Sequence, residues 1–370
     1  MKIPFLDLKI QYQSIKEEID EAIQIVLENT AYVLGKPVTD FENAFAAVHN
    51  GKHCVGVSSG TDGNHMALWA LDIGPCDEVI IPVNTFIATA WGVTLNGAKP
   101  VFVDCDPISY NIDPSKIEEA ITEKTKAIIA VHLYGQAADM DPLKEIAEKN
   151  KLFLVEDAAQ AHLGEYKGQK IGALSHASSF SFYPGKNLGA FGEAGAVMTN
   201  NDELADKFKM LRDHGAHQKY NHIMYGHNYR MEGIQGAVLG VKLKYLPVWT
   251  QNRRNVADRY NELLNGVDYI IKPHEMEYAK HVYHLYVIQV KGSGRDKLMA
   301  YLQDNGIASG LHYPIPLHLQ PCFKDLDYKK GDFPVSEELA QNGLSLPIYP
   351  EMTEEQIIYI TDTIKKFQSN

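Results

Sequence analysis

The sequence predicts an α/β protein: a mostly parallel sheet covered by helices, followed by a smaller α+β domain. Three observations predict it. From Val38 to Gly195, strand-like and helix-like stretches alternate, which is the pattern of βα units. The strand-like runs, such as EVIIPV and KLFLVED, are apolar without alternation, as strands buried on both faces are. After Pro247 the pattern changes to a strand HLYVIQV, a helix at 295–305 and a Pro/His-rich stretch, HYPIPLHLQPCF. Residues 1–246 therefore read as the large domain and 247–370 as the small one, with an N-terminal helix that could pack on the small domain.

Taken in order, residues Tyr12 to Leu27 place Ile15, Ile19, Ile23 and Val26 on one stripe, which predicts a single amphipathic helix. A second helix runs from Thr39 to His49. HCVGVSS is a strand, followed by the loop Gly60-Thr61-Asp62-Gly63 and the apolar helix HMALWAL. EVIIPV is the next strand, and Asn84-Thr85-Phe86 opens the helix IATAWGVTLNG. Then come the strand KPVFVD, the helix PSKIEEAITE, the strand KAIIAVHLYG, the helix DPLKEIAEKN and the strand KLFLVED. The alternating run SSFSFY stops at Pro184-Gly185 and delivers Lys186 into a glycine-rich loop at a strand end. AGAVMTN and DELADKFKMLRDHG follow as strand and helix. The polar stretch 216–230 has little periodicity and reads as a long functional loop. Two helices follow, 234–244 and 249–264, the second with its charges on an outer face.

Composition excludes several classes. With 370 residues, 45% hydrophobic and 22% charged, the chain is an ordinary globular protein long enough for two cores. A formal net charge of -12 argues against wrapping a nucleic acid. Four scattered cysteines, Cys54, Cys76, Cys105 and Cys322, form no pair at ligand or redox spacing, which suggests free thiols in a reducing compartment. MKIPFLDLKI lacks the apolar core of a signal peptide, and no apolar run approaches the ~20 residues of a membrane span, so a cytoplasmic location is expected. Of the 15 histidines, His214, His217, His222 and His227 cluster, but their spacing fits no usual metal-ligand pattern, and no metal is expected. SSGTDG does not supply the G-x-G-x-x-G turn of a nicotinamide site.

Four loop features can converge beyond the carboxyl ends of the strands. Ser59-Gly60-Thr61 offers amides at a helix start that cradle a phosphate, or an ordinary helix cap. Asp157 ends a buried strand, where a carboxylate is costly unless paired; it can cap the next helix or face a cationic ring nitrogen. Phe86 can stack on a planar cofactor or fill the core. Lys186 can attack an aldehyde as a desolvated amine, or lie solvated in a turn. Together these four are what pyridoxal phosphate requires.

The chain resembles the DegT/DnrJ/EryC1/StrS family of sugar aminotransferases along nearly its whole length. The resemblance rests on FLDLKIQY, SSGTDG, IPVNTFIATA, FVDCDP, VHLYGQAADMD, VEDAAQAHLG, SFYPGKNLGAFGEAG, GHNYRMEGIQGAVLG and HYPIPLHLQPCF. It implies the fold-type-I architecture of aspartate aminotransferase, with pyridoxal 5'-phosphate as cofactor and pyridoxamine 5'-phosphate as its intermediate form. It also implies a place in deoxysugar biosynthesis for O-antigen or another surface glycan. Lys186 matches the Schiff-base lysine, which also relays the proton. Asp157 matches the partner of the ring nitrogen, Gln160 the contact beside the ring hydroxyl and Phe86 the stacking ring. Gly60, Thr61 and Ser181 match the phosphate cradle. Asn228 matches a residue reaching the phosphate from the neighbouring subunit, which implies a homodimer with shared sites. A subset of relatives carries histidine in place of the lysine and dehydrates; lysine is retained here. A regulatory protein on this fold would be expected to lose Lys186 or Asp157, and neither is lost. Many relatives read alanine and leucine where this chain has Gly63-Asn64, a departure expected to bear on packing and not on chemistry.

The form SFYPGKNLG is similar to relatives that aminate C3 of a dTDP-linked 3-keto-6-deoxyhexose, with an amino acid, L-glutamate, as donor. The alternative is amination at C4 of a dTDP- or UDP-linked 4-keto-6-deoxy sugar, whose enzymes often read SFH. Tyr183 would shape the sugar pocket's floor. His312, Tyr313 and His318 are candidates to orient the sugar, though loop packing accounts for them nearly as well.

Overall fold

The computed structural model describes residues 1–367. The amphipathic stripe near the N-terminus forms two helices, α1 (Leu8–Ser14) and α2 (Lys16–Glu28), because Ile15 leaves helical geometry and ends one while opening the other. This corrects the single helix expected: the apolar stripe continues across the break, so periodicity alone does not reveal it. Ile15 and Ile19 pack on Val238, Val241 and Trp249, and the Lys244 and Tyr245 side chains reach Glu18. Ahead of these helices, Ile3 bridges to Ile307.

After α3 (Gly35–Val48), the βα alternation follows. It comprises β1 (His53–Val57), α4 (Gly60–Ala70), β2 (Glu78–Pro82), α5 (Ile87–Thr94), β3 (Lys99–Val103), β4 (Thr125–Val131), α6 (Met140–Asn150) and β5 (Phe153–Asp157). The short strands β6 (Glu165–Tyr166) and β7 (Gln169–Lys170) lead to β8 (Ala177–Ser181), β9 (Gly195–Thr199) and α7 (Asp202–Arg212). Seven strands form one sheet in the order β1-β9-β8-β5-β4-β2-β3, parallel except where β9 runs against both neighbours. Val79, Ile81, Ala127, Ile129 and Val155 enter one core, while Ile80, Ile128, Ala130 and Leu154 enter the core on the opposite face. That double burial is why the strands read as unbroken apolar runs.

Two expected elements differ. PSKIEEAITE is not an α-helix but two 3-10 turns, Pro114–Lys116 and Glu118–Ala120, joined by i→i+3 bonds such as Ala120 N to Ile117 O at 2.9 Å. The stretch buries only Ile117, too little apolar surface to hold a longer helix in place. KAIIAVHLYG leaves the sheet after Val131, where His132–Gly135 turns with Tyr134 at φ 59°.

The stretch 216–230 contains a small hairpin, β10 (Ala216–Gln218) and β11 (Asn221–His222). After α8 (Gly233–Leu243), α9 (Leu246–Leu263) carries the chain from one core to another. Leu246 packs beneath the large sheet, whereas Val256, Ala257 and Tyr260 join a separate core. That core lies on an antiparallel sheet of β12 (Ile270–Ile271), β14 (Tyr286–Val290) and β15 (Gly343–Leu346). Helices α10 (Arg295–Asp304), α11 (Pro334–Asn342) and α12 (Glu354–Lys366) accompany it, while β13 (Ala279–Lys280) pairs with β6. Among the described residues, no helix is long and apolar enough to cross a membrane.

Candidate active site

A cavity of about 520 Å³ opens at the carboxyl ends of the large sheet's parallel strands. It gathers Gly60, Thr61, Phe86, Asp157, Gln160, Ser181, Tyr183, Lys186, His312 and Tyr313. Two expected site residues lie elsewhere. Asn228 is exposed, beyond the hairpin, and its backbone bridges to Asp213. His318 is fully buried, with Nε2 3.0 Å from Glu337 Oε1 and its ring against Phe333. Its place as a sugar contact is therefore corrected to a packing role, because the loop turns this side chain inward.

Lys186 is positioned by β8. The strand ends at Ser181, Phe182 is buried beneath the loop, and the Lys186 backbone N–H bonds Tyr183 O at 2.8 Å. A Cβ at Gly189 would fall 2.2 Å from Pro184 O, so only glycine closes this loop. The side chain is partly exposed, toward the cavity, and otherwise enclosed. Burial pulls its amine down to about 8 from 10.5, against the opposing pull of the Asp157 charge. The neutral, nucleophilic amine thus becomes abundant near pH 8. The rate at which the apoprotein takes up pyridoxal phosphate should rise with pH to a half-maximum near 8. Stopped-flow absorbance checks this, and a midpoint above 10 would describe a solvated lysine.

Strand alternation separates two adjacent carboxylates. Glu156 points into one face, where it accepts from His132 Nε2 (3.0 Å), Gly172 N (3.0 Å), Leu174 N (3.1 Å) and Ser175 Oγ (2.9 Å). Asp157 points to the other, toward α4 and α5. Its Oδ2 accepts from Asn64 Nδ2 and Thr89 Oγ1, each at 2.8 Å, and its Oδ1 from Ala159 N at 3.2 Å. The sequence assigns Asn64 to packing alone; in the structure its amide contacts the carboxylate.

The N-terminus of α4 lines the cavity, with Ser59 capping it through Asp62 N at 3.1 Å. A Cβ at Gly60 would meet Ser181 Cβ at 2.6 Å, so glycine lets the helix start approach the strand end. This leaves backbone amides, a threonine and a serine hydroxyl facing one space, as an anion requires. Phe86 is 52% exposed and meets Tyr313 at 5.5 Å between ring centroids, leaving much of the ring uncovered. Gln160 is held at both ends: Oε1 accepts from Tyr134 N (2.6 Å) and Nε2 donates to Tyr313 OH (3.1 Å). His312 bonds Ser345 Oγ at 2.8 Å and stacks on Phe5. Burial, with a smaller push from Lys186, lowers its pKa to about 4, so it is neutral at pH 7.

Arg253 also lines the cavity, although α9 reads in sequence as carrying its charges outward. It is 3% exposed, and Nη1 donates to Ile348 O (2.9 Å) and Tyr283 O (3.2 Å). Phe5, Thr89 and His284 are further neighbours of the site with no expected role, although Phe5 and Thr89 fall inside FLDLKIQY and IPVNTFIATA; Asn64 stands out in sequence only as a packing departure, and Arg253 only as a charge in a helix.

An anion cradle, an open aromatic face, an anchored carboxylate and an amine of lowered basicity around one cavity fit pyridoxal phosphate. Fold and site together define a fold-type-I pyridoxal-phosphate enzyme. The chain belongs to the DegT/DnrJ/EryC1/StrS aminotransferase family, whose profile matches residues 13–365. It is 43% identical over 365 residues to the dTDP-3-amino-3,6-dideoxy-alpha-D-galactopyranose transaminase of Aneurinibacillus thermoaerophilus, covering 99% of each chain. The structure of S. venezuelae DesV in complex with a ketimine intermediate superposes with a TM-score of 0.97, at 42% identity over 99% of this chain and 98% of that one. NtdA from Bacillus subtilis, solved with bound cofactor PMP, superposes with a TM-score of 0.91, at 34% identity over 99% and 86%. The protein is a pyridoxal-phosphate-dependent aminotransferase, with pyridoxamine phosphate as the cofactor's second form.

Proposed function

We propose that the enzyme aminates C3 of a dTDP-linked 3-keto-6-deoxyhexose, taking nitrogen from L-glutamate, to give a dTDP-3-amino-3,6-dideoxyhexose. The observation that carries this reading is the Lys186–Asp157 cavity in a chain so similar to transaminases named for 3-amino sugars. Bound in the cavity, pyridoxal phosphate supplies an electron sink and a carrier for the amino group. The chain's residues do the rest. Gly60, Thr61 and Ser181 hold the phosphate, Phe86 lies on the ring, and Gln160 flanks the ring hydroxyl. Asp157 keeps the ring nitrogen protonated. Lys186 anchors the cofactor by its amine and moves a proton between the cofactor carbon and the sugar carbon. Tyr183, Tyr313 and neutral His312 shape the sugar's seat.

On this reading the enzyme is a homodimer in which Asn228 of the partner subunit completes the phosphate site. Asn228 lies outside its own chain's cavity. The same loop exposes Tyr220 (84%), Ile223 (59%) and Tyr225 (90%), apolar surface that a second subunit would cover. A cytoplasmic setting suits the four free cysteines.

The test is to offer the pyridoxamine form of the enzyme the 3-keto and the 4-keto 6-deoxy dTDP sugars separately and locate the new amine by NMR. Turnover is expected with the 3-keto sugar. Turnover with the 4-keto sugar alone would replace C3 by C4 and leave the aminotransferase class intact.

A further inference from the structure

We propose that Asn64 is a positioning residue that aims the Asp157 carboxylate at the cofactor ring, an inference that rests on the reading of Asp157 above. Asn64 lies in α4 and is 2% exposed. A carboxylate only accepts hydrogen bonds, so the amide nitrogen faces Asp157 Oδ2, at 2.8 Å, and the amide oxygen accepts from the Ser179 hydroxyl on β8. Thr89 Oγ1 donates to the same Oδ2 at 2.8 Å and is itself 2.8 Å from Thr85 Oγ1.

The two oxygens of Asp157 are therefore treated differently. Both side-chain donors fall on Oδ2. Oδ1 receives one longer backbone bond, from Ala159 at 3.2 Å, and keeps acceptor capacity for a ring N–H. Asn64 is in turn immobilised, because α5 crosses so close that a Cβ on Gly92 would lie 2.8 Å from the Asn64 Cβ. A leucine at this position would keep the branched outline in a larger volume, remove one donor from a buried charge and leave the Ser179 hydroxyl without its acceptor.

The test is a double-mutant cycle on pyridoxal phosphate affinity, read by cofactor fluorescence and absorbance with no substrate present. Asn64→Leu should weaken binding about tenfold in the otherwise unchanged protein, the order expected for a hydrogen bond to a charged group. In the Asp157→Ala background the same change should weaken it less than about twofold. Thr89→Val should follow the same pattern, and it supplies the cycle if Asn64→Leu does not fold. Equal weakening in both backgrounds would assign the residue to packing and overturn the proposal. Unchanged affinity in Asn64→Leu, with Asp157→Ala weakened, would overturn it alone; unchanged affinity in Asp157→Ala would overturn the reading of Asp157 and this proposal with it.

Discussion

Lys186→Ala is expected to lower transamination by about a thousandfold or more and to leave no cofactor covalently held, because one amine serves as anchor and proton carrier. A positioned acid–base group alone is worth about 10²- to 10⁴-fold. The loss should not come from unfolding. The amine's pKa is lowered by burial, so in the apoprotein near neutral pH the side chain is a charge held at some cost, and truncating it removes that cost. Lys186→Arg should be equally inactive, since a guanidinium keeps its proton and cannot become a neutral nucleophile. Turnover and the visible absorbance of the bound cofactor, measured on both variants, check this; activity retained by either would place the chemistry on another group.

Asp157→Asn should fold and bind cofactor while losing about 100- to 1000-fold in rate, the range seen when one preorganised electrostatic partner is removed. The substitution is isosteric. Asn64 Nδ2 and Thr89 Oγ1 would still find an oxygen if the new amide turned its carbonyl toward them, which directs the NH2 group at the ring nitrogen. A donor there opposes a protonated ring, and the electron sink is lost. Single-turnover kinetics with L-glutamate isolate the step. An unchanged rate would mean that Asp157 is only a buried, satisfied carboxylate like its neighbour Glu156.

Much of this architecture was legible because burial leaves a pattern. Strands covered on both faces read as apolar runs: β2 and β5 fall where EVIIPV and KLFLVED place them, and β4 fills the apolar first part of KAIIAVHLYG, whose last residues turn out of the sheet. The site residues at strand ends were legible because loop chemistry is local: glycine before a helix, a carboxylate ending a strand, a lysine after a Pro-Gly turn. What escaped depends on tertiary neighbours. Asn64, between the loop 60–63 and the helix HMALWAL in sequence, reads as a packing departure until α4 starts at Gly60 and α5 is laid across it at Gly92. Arg253 looks like an outward charge until backbone carbonyls at Tyr283 and Ile348 are brought around it. His318 shares a Pro/His-rich loop with His312, and only the distant Glu337 decides which of the two turns inward.

Among the described residues, Lys186 and Lys242 have amines lowered to about 8 by burial, and the assignment of the Schiff base rests on which of them faces the cavity. Lys242 is enclosed on α8, its Nζ 2.5 Å from Gly189 O, and it does not line the cavity; Lys186 does. Borohydride reduction of the holoenzyme, followed by peptide mapping, reads the answer directly. The pyridoxyl label is expected on Lys186 alone, and a label on Lys242 or any other lysine would contradict the role of Lys186 as the cofactor's anchor.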